Sequence, residues 1–229
     1  QPMESSDKQF VVVFNGEIYN HGELRTDLEK EGVVFRGHSD TEIMLEGFAR
    51  WGVARTLPRL AGMFAMALWD QQERQLHLIR DRLGIKPLYY NRSSRGVVFA
   101  SELKSLCALP WFKRDLDLTA LGYFFRYFYI PAPLSVFRNT FKIRPGHHVI
   151  VRMGEILKDE FYWPAEDMHR EAVSEPVEAS FEECSRELEK RLKCHVAEHL
   201  LADVPVGAFL SGGVDSSTLV AVAQSLGSS

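Results

Sequence analysis

Near the end of this 229-residue chain stands FLSGGVDSS, residues 209–217, where an apolar run opens into glycines, hydroxyls and one acid. Ser211-Gly212-Gly213 between a strand and a helix is suited to anion binding. Glycine lets the backbone approach a ligand closely, and free N–H groups at a helix N-terminus favour negative charge. Ser211, Ser216 and Ser217 add hydroxyl donors. Asp215 would repel a bare phosphate, so its presence predicts a divalent cation bridging carboxylate and phosphate oxygens, a role that suits Mg2+. The spacing is not GxxxxGK[ST], which excludes a Walker A loop. A plain Gly- and Ser-rich strand-to-helix turn is the competing reading. At the other end, QFVVVFNGEIYN carries Asn15-Gly16. Read alone, that pair is a type I′ hairpin turn, the strongest short hairpin signal.

The elements around these residues follow from periodicity. The run before Asn15 is β-branched and aromatic and reads as a strand. Residues 22–32 place Leu24 and Leu28 at i, i+4 and end in glycine, which predicts a short helix. In SDTEIMLEGFARWG, Ser39 and Glu42 form a capping box, Ile43, Leu45 and Phe48 an apolar side, and Gly52 a stop. From Gly62 the period changes to strands. MFAMALWD and QLHLIRDR flank one turn, PLYYNR and GVVFAS another, and RPGHHVIVRMGEILKDEFYW turns at Met153-Gly154. Helical patterns intervene at 102–107 and 118–128. Residues 164–179, acidic and without clear period, read as a linker. A long helix from Ser180 to about Leu201, with the capping box Ser180/Glu183, carries Leu188, Leu192, His195, Val196 and His199 along one stripe. VPVGAFL, residues 204–210, reads as a buried strand, and TLVAVAQSL as the closing helix. The expected organisation is therefore an antiparallel α+β domain over 1–163, a linker over 164–179, and the start of an α/β unit over 180–229.

Composition narrows the function classes. A net charge of −4 gives no electrostatic reason to expect nucleic acid or an anionic membrane as partner. No apolar run approaches the roughly 20 residues of a membrane span, and the first residues lack signal-peptide character. Cys107, Cys184 and Cys194 have no CxxC spacing, so neither a disulfide framework nor a zinc site is expected. A cytoplasmic protein is the expectation.

FNGEIYNH, SDTE, LAGMFAMALWD, RDRLGIKPLYY and FASELKSL occur in that order. Together they resemble the glutaminase domain of the asparagine synthetase family, a class II glutamine amidotransferase of the N-terminal-nucleophile type. SGGVDSS after an apolar run is similar to the pyrophosphate-binding loop of the ATP pyrophosphatase superfamily, which opens the second domain of that family. The resemblance covers nearly the whole chain. It implies a layered antiparallel glutaminase fold followed by the beginning of an α/β ATP-pyrophosphatase domain. It also implies an oxyanion hole from the Asn15 side chain and the Gly16 N–H, a fitting device for a tetrahedral intermediate of amide hydrolysis. Glu17 and Asp40, with Asn15 and Gly16, would bind glutamine, the carboxylates facing its α-ammonium. Leu210, Ser211, Gly212, Gly213, Asp215 and Ser216 would bind ATP, and Asp215 the Mg2+. Arg80, Asp81 and Arg82 are expected to form an ion-pair network beside a turn shaped by Gly84 and Pro87, and His147 and His148 to be structural.

By that resemblance the activity is glutamine- and ATP-dependent amidation of aspartate through β-aspartyl-AMP, in a protein compatible with a homodimer. The family's nucleophile is a cysteine at the mature N-terminus. This chain begins with Gln1, so it is expected to be a piece lacking both ends and, by itself, to be inactive. Two alternatives stand beside this reading: an amidotransferase of the same architecture acting on another carboxylate, in a polysaccharide or antibiotic pathway, and a non-catalytic glutaminase-like module.

Overall fold

The computed structural model describes residues 1–175, 177–202 and 204–227. They form two compact units, Gln1–Met168 and His169–Ser229.

The first unit is built on two antiparallel sheets. Strands β1 (Met3–Glu4), β2 (Phe10–Ile18), β3 (Gly62–Asp70), β4 (Gln75–Arg80), β8 (His147–Arg152) and β9 (Glu155–Phe161) make a six-stranded sheet in the order β1-β2-β3-β4-β8-β9. Strands β5 (Tyr89–Ser93), β6 (Gly96–Ala100) and β7 (Thr140–Lys142) make a second sheet in the order β6-β5-β7. Alternation along the strands gives the large sheet two apolar faces. Phe10, Val12, Phe14, Phe64, Met66 and Leu68 face one core with Leu24, Leu28, Ile43 and Phe48 of the helices α1 (His21–Lys30) and α2 (Asp40–Trp51). Ala65, Ala67, Leu78, Val149 and Val151 face the other core with Leu88, Tyr90 and Ile143. The layers are therefore helix, sheet and sheet. Helices α3 (Val53–Thr56), α4 (Leu103–Cys107) and α5 (Leu118–Tyr127) complete the unit.

Most strand and helix expectations hold, and the differences have local causes. Asn15-Gly16 is no turn, because both residues lie inside β2, paired with Ala65 and Phe64. The predicted capping box at Ser39 is half present. Ser39 Oγ accepts from the Glu42 N–H, but the Glu42 carboxylate reaches instead to the N–H groups of Arg36 and Gly37. The Met153-Gly154 turn has positive φ at both residues, as a two-residue I′ hairpin requires.

Segment 164–179, read from sequence as a linker, contains helix α6 (Ala165–Ser174), with Pro176 outside the described residues. No residue of α6 is buried, yet Ala165, Met168, Ala172 and Val173 recur at helical spacing, and Glu166 and Asp167 complement its N-terminal dipole. In the second unit, α7 (Phe181–His199) opens with the complete Ser180/Glu183 capping box. Leu192 and Val196 of α7 line an apolar groove with Leu219 and Ala223 of α8 (Val214–Leu226). Residues 204–210 are not the expected buried strand: they are exposed and unpaired in any ladder. A strand needs a hydrogen-bonding neighbour, and no strand lies among the described residues of this unit.

Candidate functional site

The predicted glutamine-site residues lie together in the first unit, at the last residues of β2 and the first of α2. Here β2 and β3 approach closely. A Cβ on Gly16 would stand 2.1 Å from the Met63 carbonyl oxygen, and one on Gly62 equally close to that of Glu17. Glycine at position 16 is thus a packing requirement of the strand pair. Next to it, Asn15 Nδ2 donates to Ser101 Oγ at 3.2 Å in an exposed contact. The hydroxyl just beyond β6 therefore orients the amide, a role the sequence reading did not assign. Ser101 stands between a strand and a helical pattern, which is the signal that could have marked it.

Asp40 is the first residue of α2, and its Oδ2 accepts the Ile18 N–H at 2.9 Å. Its other oxygen accepts the Thr41 N–H at 2.6 Å. The carboxylate thus ties the helix N-terminus to the strand beside Glu17. Asn20 closes the same corner, accepting the Ala61 N–H and donating to the Arg59 carbonyl. Burial, then the charges of Glu17 and Asp81, hold the Tyr19 hydroxyl above its ordinary pKa. The Glu17 and Asp40 carboxylates stand at this corner as the groups that could face a cation.

Asp81 is fully buried, and its carboxylate accepts the N–H groups of Phe64, Leu83, Ile85 and Lys86. Arg80 donates through all three guanidinium nitrogens to the carbonyls of Lys86, Ile143 and Gly84. Arg82 donates to Pro58 and stacks 3.7 Å from the Trp163 ring centroid. The expected ion-pair network is therefore replaced by charges bonded to the main chain. A buried charge in a turn crowded with backbone groups is satisfied by that many donors or acceptors without a counter-ion at hand. Sequence showed the charges but not that their partners are peptides.

His147 Nδ1 contacts Asp159 Oδ1 at 2.6 Å, and His77 Nδ1 contacts His148 Nε2 at 2.7 Å. All three histidines are buried within the sheet, in accord with the structural expectation.

In the second unit, Leu210, Ser211, Gly212, Gly213, Asp215 and Ser216 form the loop into α8. Gly212 has φ 82°, and Gly213 caps the helix without a side chain, so the first-turn N–H groups keep no side-chain acceptor. Ser211 Oγ and Ser216 Oγ lie 2.9 Å apart on the same mouth. Asp215 is exposed in the first turn. Open N–H groups with two convergent hydroxyls fit a phosphate. One carboxylate fits a cation only if phosphate oxygens supply the rest of its shell, since the described residues offer no cluster of three metal-ligating side chains.

The three cysteines are free: Cys107 is half-buried on α4, and Cys184 and Cys194 are exposed on α7. No described helix is long and apolar enough to cross a membrane.

Comparison with known proteins agrees with this layout. The glutamine amidotransferase domain family matches residues 1–163, and the asparagine synthase family matches residues 187–229. The chain is 35% identical to asparagine synthetase [glutamine-hydrolyzing] 1 of Bacillus subtilis over 224 residues, covering 98% of this chain and 34% of that protein. It is 38% identical to a putative asparagine synthetase of Mycobacterium tuberculosis (strain ATCC 25618 / H37Rv) over 228 residues, 97% of this chain and 34% of that one. It is 34% identical to amidase chry2 of Gibberella zeae over 230 residues, 99% of this chain and 32% of that one. The chain thus spans about a third of the length of these relatives. Among solved structures, the B. subtilis glutamine phosphoribosylpyrophosphate amidotransferase aligns with TM-score 0.52 at 18% identity, over 98% of this chain and 47% of that one. Its agreement is one of fold, the layered antiparallel architecture of N-terminal-nucleophile amidotransferases. With a family match over residues 1–163, the two-sheet unit and its Asn15–Asp40 corner belong to the glutamine amidotransferase domain family, followed in the same chain by the opening of an asparagine synthase domain.

Proposed function

We propose that these residues are the glutamine-hydrolysing part and the start of the ATP-handling part of a glutamine-dependent asparagine synthetase. The observation that carries the reading is one chain holding both an amidotransferase unit with an exposed Asn15 amide and a glycine-rich helix N-terminus open to phosphate. In this reading Asn15 Nδ2 and the Gly16 N–H stabilise the oxyanion formed when glutamine's amide carbonyl is attacked. Glu17 and Asp40 hold the α-ammonium, since carboxylates suit that cation. Ser211, Ser216 and the first-turn N–H groups of α8 hold the pyrophosphate part of ATP, and Leu210 lies against the nucleotide. Asp215 would hold Mg2+, which when bound neutralises phosphate charge. Aspartate, activated as β-aspartyl-AMP, is the proposed acceptor of the ammonia, and the cytoplasm the proposed compartment. Because none of the three cysteines lies at an N-terminus, the 229 residues alone are proposed to lack glutaminase activity.

The test is Asp215→Asn in a protein carrying both complete domains. Loss of synthesis from glutamine and from ammonia alike, with glutamine hydrolysis retained, is the expected result. Near-normal Mg2+- and ATP-dependent synthesis would remove Asp215 from the site, leaving it a first-turn helix acid worth about 0.3–1 kcal/mol.

A second reading, an amidotransferase for another carboxylate, is kept because one relative of comparable identity, amidase chry2, does not carry the asparagine synthetase name. Supplying aspartate and alternative carboxylic acids to the same protein distinguishes the two.

A further inference from the structure

Away from the Asn15–Asp40 corner, a cleft of about 650 Å3 opens where the β5–β6 turn meets the β8–β9 turn. Its wall is tightly built: a Cβ on Gly154 would stand 3.3 Å from the Gly96 Cα. Four cations line it, Arg92, Arg95, Lys113 and Arg138, against two carboxylates, Asp115 and Glu155. Glu155 lies 3.8 Å from Arg92. The other three cations have no carboxylate within ion-pair distance among the described residues.

This excess of positive charge is set into one concavity of a chain whose net charge is −4. Like charges gathered in a cleft repel one another and raise the local concentration of anions. Two features narrow the anion. Arg138 is anchored by its Nε on the Leu116 carbonyl at 3.1 Å, which leaves the planar guanidinium's outer edge for a bidentate oxyanion such as phosphate. Trp111 lines the same cleft, with the Arg95 guanidinium 5.9 Å from its ring centroid, so an aromatic face lies beside the cations. The volume falls in the range of small-molecule sites, about 300–1,000 Å3, and exceeds what one phosphate needs.

We propose that this cleft binds a nucleoside phosphate, with the phosphate on Arg95, Lys113 and Arg138, the base against Trp111 and sugar hydroxyls donating to Asp115. All of its lining residues belong to the first unit, and the site does not depend on the proposed function.

The test measures AMP binding to the full chain by calorimetry and by the Trp111 emission change. Inorganic phosphate and ribose 5-phosphate run in parallel, and a Ser211→Ala/Asp215→Ala background disables the other phosphate loop. AMP should bind in that background, and Arg95→Ala, Lys113→Ala and Arg138→Ala should each weaken it about tenfold or more, the size of a lost charge-assisted hydrogen bond. Trp111→Phe should abolish the emission change while keeping most of the affinity. These side chains other than Trp111 are exposed, so the variants should melt with the parent, and Lys113→Gln gives a milder check on the same cation. AMP binding that vanishes in the Ser211/Asp215 background, that is indifferent to all three cation variants, or that is no tighter than inorganic phosphate would overturn the proposal. Ribose 5-phosphate binding as tightly as AMP would overturn the role given to Trp111 and the base.

Discussion

Asn15 holds its amide on one exposed hydrogen bond, to Ser101 Oγ. A donor kept so lightly can turn to a developing oxyanion at the cost of one hydroxyl contact that water replaces. Under the proposed function, in a protein carrying both complete domains, Asn15→Ala should lower glutamine-dependent turnover about 10²-fold or more, the usual loss for one oxyanion donor. Ammonia-dependent synthesis should be spared, because it bypasses the amide step. Measuring the two nitrogen sources side by side checks this, and an equal fall in both would make Asn15 structural. Ser101→Ala should give a much smaller loss in the same assay. Asn15 and Gly16 were visible as a pair, but their local signal, a hairpin turn, was the wrong conformation. What overrides it is the contact of Gly16 with Met63 across the sheet, which no local pattern contains.

Among the elements, the turn after β4 depends most on one side chain. The Asp81 carboxylate gathers the N–H groups of Phe64, Leu83, Ile85 and Lys86, and its own carbonyl accepts from Gly84 and Gly146. Asp81→Ala would leave the buried Phe64 N–H and three part-buried N–H groups without their acceptor, at about 1–3 kcal/mol for each one that water cannot reach. We expect a loss of about 3 kcal/mol or more in denaturant unfolding, with Asp81→Asn nearly as damaging because its amide adds donors where acceptors are needed. Elements with strong periodicity were legible: the hairpins, α2 with its buried Ile43, Leu45 and Phe48, and α7 with its capping box. β7 was not, since Thr140–Lys142 is too short to show alternation. α6 was missed because its sparse stripe of Ala165, Met168, Ala172 and Val173 is set in an acidic, polar stretch, and 204–210 was misread because apolar content alone does not supply a ladder partner.

For the molecule as a whole, acid should act through the paired imidazoles of β4 and β8. Burial, then the neighbouring His77 and Lys158, pushes His148 down to about 3, and burial also lowers His77. Both are neutral in the folded state at pH 7, whereas in the unfolded chain each protonates near 6.5. The unfolded state therefore takes up protons first, and stability is lost as pH falls from about 6.5 towards 3. Between pH 7 and 5 the loss should be about 2 kcal/mol for each imidazole that stays neutral, seen as a falling Tm. His77→Gln/His148→Gln should flatten that slope, whatever it does to stability at pH 8. Asp159, whose carboxyl is lowered chiefly by the His147 hydrogen bond, adds its own loss lower down, beginning as pH falls through the usual carboxylate range and continuing below it.

The strand order β1-β2-β3-β4-β8-β9 also has a consequence for the time course of synthesis. β4 finds its outer neighbour only when β8 arrives, and the His77–His148 contact closes a separation of 71 residues. Everything between, including the whole second sheet, emerges from the ribosome while β4 is still a bare edge. Pairing across such a distance is slow, and an unpaired apolar edge invites other chains. Leu76 and Leu78 would stand on that edge with no partner opposite until Val149 and Val151 are made. A nascent chain stalled between β4 and β8 is thus the form of this domain most prone to aggregate, and the stretch of translation during which a chaperone would matter most.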